Sequence, residues 1–456
     1  MQATFDFISA VNSFVWGPPM IIFLIGTGIW LTIGTRFVQI RRFLHAWRLT
    51  LRGAFRKSPE GETGDITPFQ ALMTAISATV GNGNIAGVAT AIALGGPGAP
   101  VWMWLTGLVG MATKYSEALL GVKYREQDQD GTMSGGPMYV LKNGLGLGWL
   151  GWIFALCGSI TALGIGNMVQ ANSVALVFRT QMGIPSMVTG IVLAVLTWLV
   201  IIGGIKRIAV VAEFLVPVMC LAYFLGGLVI IVVKFAEVPE AFSLIFRSAF
   251  NGQAAMGGFA GAGMAQAIRY GVARGIFSNE AGIGSAGIAH GAAQTRSPAR
   301  QGNIAMLGVF IDTIVINTIT TLAIVLTGAW STGLTSTTLT AHAFTQVLGR
   351  MGSWIVAFGS VTFGYSTLLT WSYYGLKCTD FLFGVRVSLP YRWFWCFVII
   401  VGAYFSSDFA GVKLIWDLAD TVNGAMAIPN LVSLLGISLL LFRETKAYSA
   451  AQEEGR

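Results

Sequence analysis

Residues 77–87 read SATVGNGNIAG and interrupt an otherwise apolar stretch of the chain. Four residues that form helices poorly, Gly81, Asn82, Gly83 and Asn84, stand where a helix through lipid would have to be continuous. A break in a membrane helix frees backbone N–H and C=O groups, and each of them is costly in hydrocarbon unless it finds a partner. The fold and the function therefore depend on what those groups bind.

The composition is that of a polytopic membrane protein. Of the 456 residues, 54% are hydrophobic and 11% are charged, and the mean hydropathy is +0.70, whereas a soluble domain carries about 25% charged residues. The four cysteines form no CxxC pair and the three histidines no HExxH motif, so the sequence predicts neither a disulfide framework nor a metalloenzyme site. The net charge of +8 comes from basic loops rather than from a nucleic-acid-binding surface.

Apolar segments predict eleven transmembrane helices and their direction. The predicted spans are 16–34, 68–94, 99–122, 149–178, 185–203, 208–233, 257–290, 303–328, 353–378, 391–405 and 412–442. Segments that would be cytoplasmic carry 20 Lys and Arg residues, segments that would be external carry 5, and no Lys or Arg precedes the first span. This bias predicts a multi-pass protein of the plasma (inner) membrane, surrounded by lipid bilayer, with its N-terminus outside and its C-terminus in the cytoplasm.

The spans group into two sets of five. Residues 1–66 hold the first span and a basic segment, 35–66, that is expected to form an amphipathic helix on the cytoplasmic surface. Residues 67–235 and 252–442 hold five spans each, and 443–456 form a cytoplasmic tail. An odd number of spans in each set gives the two sets opposite orientations, which predicts an inverted repeat.

The second set also begins with an interrupted span. Residues 275–291 read GIFSNEAGIGSAGIAHG and place Ser278, Asn279 and Glu280 among glycines. Breaks at corresponding positions of two repeats are the best sequence indication of a transporter's binding site. Half-helix N-termini point N–H donors at an anion such as a carboxylate, and unwound carbonyls coordinate a cation such as Na⁺. The structural alternative is close helix packing with a glycine kink.

Two long motifs resemble one known family. SATVGNGNIAGVATAIALGGPGAPVWMW (77–104) and GIFSNEAGIGSAGIAHGAA (275–293) are similar to the alanine or glycine:cation symporter family, the sodium:alanine symporters (AGCS), and the resemblance covers essentially the whole chain. It implies an all-α fold of the LeuT type, with a five-plus-five inverted repeat, discontinuous first helices and one extra N-terminal span. It also implies uptake of alanine or glycine coupled to Na⁺ or H⁺.

The resemblance also implies site residues, because the first break matches the VGxGN pattern of the wider superfamily. The amides around Asn82 and Gly83 would hold the substrate carboxylate, Trp371 would wall the side-chain pocket, and Phe277 would close it. The full predicted set comprises Asn82, Gly83, Gln170, Phe277, Asn279 and Trp371 for the substrate, the carbonyls of Ser77 and Val80 with the hydroxyls of Ser366 and Thr367 for Na⁺, and Thr79, Asn84 and Glu280 as further candidates.

Several polar residues within spans keep two interpretations. Glu280 is expected either to help bind a cation or an ammonium group or to pair with Lys114 or an arginine. Glu117 lies three residues after Lys114, so a local ion pair is the simplest expectation. Gln170 would either face the cavity or bond a neighbouring helix. Gate or structural roles are both open for Asp312, Asp420, Arg269 and Arg274.

A membrane enzyme or a channel fits the residues less well than a transporter. An enzyme would need a cluster of nucleophile, base or metal ligands, which the dispersed histidines and cysteines do not provide. A channel would need a repeated pore helix or a polar ring at one constriction. The sequence therefore predicts Na⁺-coupled uptake of alanine and glycine by alternating access, with H⁺ coupling as the alternative. The preference among L-alanine, D-alanine and glycine stays open, as does the oligomeric state.

Overall fold

The computed structural model describes residues 10–12, 14–55, 62–250, 263–405 and 410–454, and nearly all of this part of the chain is helical. The longer helices are α1 (Pro18–Gly34), α2 (Phe43–Phe55), α3 (Pro68–Thr79), α4 (Val88–Gly95), α5 (Ala99–Lys123), α6 (Gly148–Met182), α7 (Ser186–Ile201), α8 (Gly204–Val233), α9 (Val238–Phe250), α10 (Met264–Asn279), α11 (Ser285–Gly291), α12 (Pro298–Leu326), α13 (Ser336–Leu348), α14 (Arg350–Phe383), α15 (Ser388–Tyr404), α16 (Ala410–Gly436) and α17 (Ser438–Glu454). Shorter helical turns lie at Val38–Arg41, Gly83–Gly87, Pro137–Tyr139, Val140–Gly144, Phe235–Glu237, Ala329–Ser331 and Val385–Val387. Two short strands, β1 (Glu126–Gln127) and β2 (Met133–Ser134), pair antiparallel.

Every predicted span coincides with a helix, and the two spans predicted to be broken are broken. The first of them is split into α3 and α4, and the second into α10 and α11. The part of the second span before residue 263 lies outside the described residues. The predicted all-α polytopic fold is therefore confirmed.

Four helices of the described residues are long and apolar enough to cross a membrane unaided: Gly148–Met182, Gly204–Val233, Pro298–Leu326 and Val385–Tyr404. A bent pair, Asp417–Gly436 with Ser438–Gln452, meets the same criteria as one span. The other spans are shorter, broken or more polar; α5, for example, carries Lys114 and Glu117, and its second half is buried. A helix surrounded by other helices does not need an apolar face on every side.

The last predicted span, 412–442, differs from the structure at its end. α16 stops at Gly436, and α17 leaves it at an angle of 61°. Two contacts hold α17 against α5: Lys123 Nζ lies 2.6 Å from Glu444 Oε1, and the Tyr115 hydroxyl donates to Thr445 Oγ1 at 3.0 Å. These contacts hold the last helix against α5 at this angle.

α14 is the helix around which the two breaks meet. It packs against α3, α6, α8 and α13, and every residue from Ser366 to Cys378 is buried. α10 packs against the turn Gly83–Gly87 that follows the first break. The start of α3 is fixed by a capping box in which the Gln70 N–H donates to Thr67 Oγ1 and the Thr67 N–H to Gln70 Oε1, both at 3.1 Å.

Candidate functional site

The first break leaves backbone groups without helical partners. α3 ends before Val80, which is extended with φ −72° and ψ 95°, and a wide helical turn begins at Gly83. The Gly81 N–H donates to Oδ1 of Asn84 at 2.8 Å. Within the part of the chain that the structure describes, the N–H groups of Asn82 and Gly83 find no acceptor, and the Val80 carbonyl accepts no hydrogen bond across the break. Two donors and one acceptor are therefore available to a ligand.

These donors lie at a cavity of about 610 Å³. Four of the predicted substrate residues line it: Asn82, Gly83, Gln170 and Phe277. Nδ2 of Asn82 donates to Oε1 of Gln170 at 3.0 Å, whereas Oδ1 of Asn82 has no hydrogen-bond partner among the described residues. A Cβ atom on Gly83 would stand 3.5 Å from Cδ1 of Phe277. The aromatic ring therefore lies directly beside the glycine whose N–H is unbonded.

The mouth of the cavity carries charges of both signs. Arg274 lines it, with Cζ 5.6 Å from the centre of the Phe277 ring, and Asp417 and Asp420 lie on the same rim. Oδ2 of Asp420 accepts a hydrogen bond from Nδ2 of Asn12 at 3.3 Å, so the segment before α1 reaches this rim. Arg274 and Asp420 therefore stay candidates for a gate.

Oxygen atoms gather where α14 passes the end of α3. The Ser77 carbonyl accepts hydrogen bonds from Oγ of Ser366 at 3.2 Å and from Oγ1 of Thr367 at 3.4 Å, and the Ser77 hydroxyl donates to the Ser366 carbonyl at 2.9 Å. Oγ1 of Thr367 also lies 3.1 Å from the place of a Cβ on Gly81, so it reaches the break that Val80 opens. This buried, uncharged set of carbonyl and hydroxyl oxygens is of the kind that binds a hard cation.

The second break is closed from within the protein. Glu280 follows α10 in the left-handed conformation, φ 54°, and Gly282 and Gly284 have φ values of 95° and 97°. Oε1 of Glu117, on α5, accepts the N–H groups of Gly282 and Gly284 at 2.9 and 3.1 Å. The same oxygen accepts Nδ2 of Asn430, on α16, at 2.8 Å. One carboxylate oxygen thus serves three donors at the break.

The two remaining N–H groups of this break are also bonded. The Ala281 N–H donates to Oδ1 of Asn279 at 2.9 Å, and the Ile283 N–H donates to the Glu280 carbonyl at 3.3 Å. Nδ2 of Asn279 donates to Oγ1 of Thr313 at 3.1 Å. Asn279, a predicted substrate residue, is 1% exposed and does not line the cavity, because both ends of its amide are used inside the protein.

The predicted local ion pair between Lys114 and Glu117 is wrong. The ion pairs within the described ranges do not include Lys114, and its Nζ is buried there without a hydrogen-bond partner. Glu117 bonds instead to Gly282 and Asn430, which lie 165 and 313 residues further along the chain. No local pattern reveals partners so distant. The one indication in the sequence is that Glu117 is a carboxylate within the apolar span that follows the first break.

Glu280 and Trp371 are bonded to each other behind the cavity. Nε1 of Trp371 donates to Oε1 of Glu280 at 3.1 Å, and Oγ of Ser285 donates to Oε2 at 2.5 Å. Trp371 is 1% exposed and does not line the cavity. A Cβ on Gly166 would stand 2.4 Å from the Cβ of Trp371, whereas the preceding residue, Ile165, does line the cavity. Trp371, the predicted wall of the side-chain pocket, therefore lies behind the residues that line the cavity.

Asn84 belongs to a buried network rather than to the cavity lining. Its Nδ2 lies 2.7 Å from Oδ1 of Asp312, 2.9 Å from Oδ1 of Asn317 and 3.1 Å from Oγ of Ser278. Ser278 in turn donates to Oδ2 of Asp312 at 2.8 Å. This network ties the first break to α10 and α12 and favours the structural interpretation of Asp312. Thr79, the remaining candidate, donates to carbonyls one turn earlier in α3.

Polar contacts join separate segments near the predicted cytoplasmic ends of the helices. The guanidinium of Arg125 donates to the carbonyls of Gly291 and Ala293 at 2.9 and 2.6 Å. Nζ of Lys377 lies 2.7 Å from Oδ2 of Asp128, and both side chains are largely buried.

Comparisons with known proteins agree with this architecture. The family model described as "Sodium:alanine symporter family" matches residues 1–456. The chain is 50% identical over 456 residues to the sodium/alanine symporter AgcS of Methanococcus maripaludis, covering 97% of this chain and 98% of that protein. It is 48% identical over 444 residues to an uncharacterized transporter of Haemophilus influenzae, covering 97% and 95%. Among solved structures, MhsT in complex with L-phenylalanine has the same fold, with a TM-score of 0.58 and 11% identity over 85% of this chain and 99% of that chain.

Proposed function

We propose, from the premise that the chain belongs to the sodium:alanine symporter family, that it carries alanine and glycine across the plasma membrane together with Na⁺. One observation carries this proposal: the N–H groups of Asn82 and Gly83 are unbonded at a cavity within a membrane bundle. Donors in such a place are costly unless a ligand uses them. Membership of the family makes the protein a transporter and not an enzyme.

The unbonded donors suit the carboxylate of an amino acid. Hydrogen bonds from N–H groups to a carboxylate are about twice as strong as those between neutral groups. The helical turn that starts at Gly83 adds the positive end of its dipole at the same place. Oδ1 of Asn82, which is buried without a partner among the described residues, offers an acceptor for the ammonium group. Gln170 holds the Asn82 amide in this orientation.

The oxygen cluster of Ser77, Ser366 and Thr367 suits Na⁺. It contains hydroxyl and carbonyl oxygens without a formal charge, which favours a monovalent cation over a divalent one. The Val80 carbonyl, free of hydrogen bonds across the break, completes the proposed set. Cation and carboxylate would then bind on the two sides of one break, so that each stabilises the arrangement the other needs.

The arrangement favours alternating access, because the contacts around Arg125 and Lys377 do not line the cavity. In the predicted topology, the residues that line the mouth, such as Thr180 and Ser336, lie outside the cell. Transport would require closure of that mouth and separation of the contacts around Arg125 and Lys377.

Uptake into proteoliposomes tests the proposal. The purified chain should accumulate labelled alanine and glycine under an inward Na⁺ gradient, with saturation in both solutes. Accumulation under a proton gradient alone, at equal Na⁺ on both sides, would favour the H⁺-coupled alternative. Flux that does not saturate and follows only the solute's own gradient would indicate a channel and contradict the proposal.

H⁺ coupling has a specific observation in its favour, which is the buried carboxyl group of Glu280. If a proton on this group drives transport, Glu280→Gln should remove the dependence on a proton gradient and leave exchange of internal for external alanine intact. If Na⁺ drives transport, the Na⁺ dependence of Glu280→Gln should match that of the wild-type protein.

A further inference from the structure

One exposed stripe of α2 alternates leucine with arginine. Leu44, Arg48, Leu51 and Arg52 are all exposed, and their spacing places them on one face of the helix. Leu44 is 69% exposed and Leu51 54%. Arg41 is exposed at the end of the preceding helical turn. The stripe therefore combines a large apolar surface with three cations.

The cations of this stripe lack protein partners in the described part of the chain. Arg41, Arg48 and Arg52 form no ion pair or hydrogen bond there. No Asp or Glu occurs between residues 7 and 59, so the sequence around the helix offers none either. Two unpaired arginines on one face of α2, with a third just before the helix, attract an anionic surface.

Other side chains of α2 fix the helix to the protein. Phe43 packs edge-on against Phe310 of α12, with ring centres 4.8 Å apart. Nε2 of His45 lies 3.0 Å from the hydroxyl of Tyr448 on α17. The turn into this segment uses Arg36 and Phe37 with φ values of 56° and 57°, a conformation that is unfavourable for residues other than glycine. The protein thus accepts a strained turn to lay α2 along its surface.

Neither water nor the lipid interior suits this stripe. Water would leave two leucines exposed without compensation, and the hydrocarbon core would strip three guanidinium groups of their hydration. The membrane interface accommodates both, because leucines enter the acyl boundary while arginine side chains extend to the phosphates. The position of α2 between the end of α1 and the start of α3 agrees with the level of a membrane surface.

We propose that the stripe Arg41–Leu44–Arg48–Leu51–Arg52 is a binding site for anionic phospholipid headgroups. The guanidinium groups bind the phosphates, with two hydrogen bonds possible per arginine, and Leu44 and Leu51 anchor the helix among the acyl chains. This proposal does not depend on which solute the protein carries.

The test uses the full chain in detergent, with phosphatidylglycerol or phosphatidylcholine added and bound lipid counted by native mass spectrometry. The variant Arg41→Gln/Arg48→Gln/Arg52→Gln should bind phosphatidylglycerol about a hundredfold more weakly, on the basis of roughly fivefold per arginine. Its affinity for phosphatidylcholine should not change. The matched variant with lysine at the same three positions should retain most of the preference, because the charge is kept.

Two further variants separate this site from general charge effects. Lys206→Gln/Arg207→Gln/Arg386→Gln removes three exposed cations from two other segments of the chain, and it should keep the tight phosphatidylglycerol binding. Leu44→Ser/Leu51→Ser should weaken both lipids alike. The proposal fails if the glutamine variant binds phosphatidylglycerol like the wild type or if the loop variant loses as much. It also fails if the glutamine variant has a different oligomeric state but unchanged lipid affinity, because the stripe would then contact a second copy of the chain. Alanine binding and the melting temperature confirm that each variant is folded.

Discussion

At the first break, the N–H groups of Asn82 and Gly83 have no acceptor in the described structure, whereas at the second break every N–H from Ala281 to Gly284 is bonded within the protein. Glycine produces both interruptions, yet Glu117 supplies at the second what a ligand would supply at the first. An interrupted helix is therefore not a binding site by itself. It becomes a candidate where the freed groups face a cavity and the protein offers them nothing.

The largest effect is expected where the protein completes its own break. Glu117→Ala removes the acceptor of Gly282, Gly284 and Asn430, and each buried donor left unsatisfied costs about 1–3 kcal/mol. We expect unfolding to become easier by about 3 kcal/mol or more, seen as a lower melting temperature in detergent. Glu117→Gln keeps an acceptor oxygen and should lose much less. A Glu117→Ala protein as stable as the wild type would contradict the conclusion that Glu117 stabilises the second break.

A side chain at the first break should affect binding rather than folding. Gly83→Val places methyl groups where the carboxylate is proposed to sit, and a Cβ there makes only ordinary contacts with Phe277. We expect alanine affinity to fall about a hundredfold, because hydrogen bonds to a charged group contribute about 1.5–3 kcal/mol each. The melting temperature should stay near that of the wild type.

Gly87→Val is the control, since Gly87 also lines the cavity, one turn further along, and has no atom near the place of its Cβ. It should bind alanine nearly normally. Equal loss in both variants would mean that the cavity is merely filled and that the donors at Gly83 have no special role.

The oxygen cluster beside the first break should determine the cation dependence. Ser366→Ala and Thr367→Ala each remove one hydroxyl and should raise the Na⁺ concentration for half-maximal uptake about tenfold, equivalent to about 1.4 kcal/mol. Alanine affinity should fall at low Na⁺ and recover at high Na⁺, because coupling between two ligands is reciprocal. Thr362→Ala lies one turn before the cluster on the same helix, where its hydroxyl donates to the Phe358 carbonyl. It should change neither the Na⁺ dependence nor the alanine affinity. Unaltered Na⁺ dependence in both cluster variants would put the cation elsewhere.

The smallest effect concerns Trp371, which bonds Glu280 at the second break. Trp371→Leu should let leucine compete weakly with alanine and should weaken glycine, each by about 1 kcal/mol, the lower end of the range for one methylene in a pocket. Trp395→Leu replaces an equally buried tryptophan whose Nε1 has no partner among the described residues, and it should lower stability without changing selectivity. If Trp371→Leu also loses stability and all substrates together, Trp371 only packs α14 against α6 and Glu280.

The sequence predicts the breaks well because their causes are local. Glycine and asparagine within apolar spans mark both interruptions, and the apolar segments themselves mark the helices. Gln170 and Phe277 line the cavity, and their contact with the substrate stays a prediction. The partners of Glu117 and the turn at the end of α16 depend on residues far apart in the chain, so no local pattern contains them. The depth of Trp371 depends likewise on the close approach of Gly166 on another helix.

The hydrogen bonds that Glu117 accepts at the second break also bear on how the protein is synthesised. Glu117 is synthesised 165 residues before Gly282 and 313 residues before Asn430. At about 5–20 residues per second, the last of these partners emerges from the ribosome roughly 15–60 s after the carboxylate. During biogenesis, the insertion machinery therefore has to shelter an acidic side chain until its partners arrive. Chains truncated before α16 would keep the Gly282 and Gly284 donors but lose Asn430, so the carboxylate oxygen would miss one of its three hydrogen bonds.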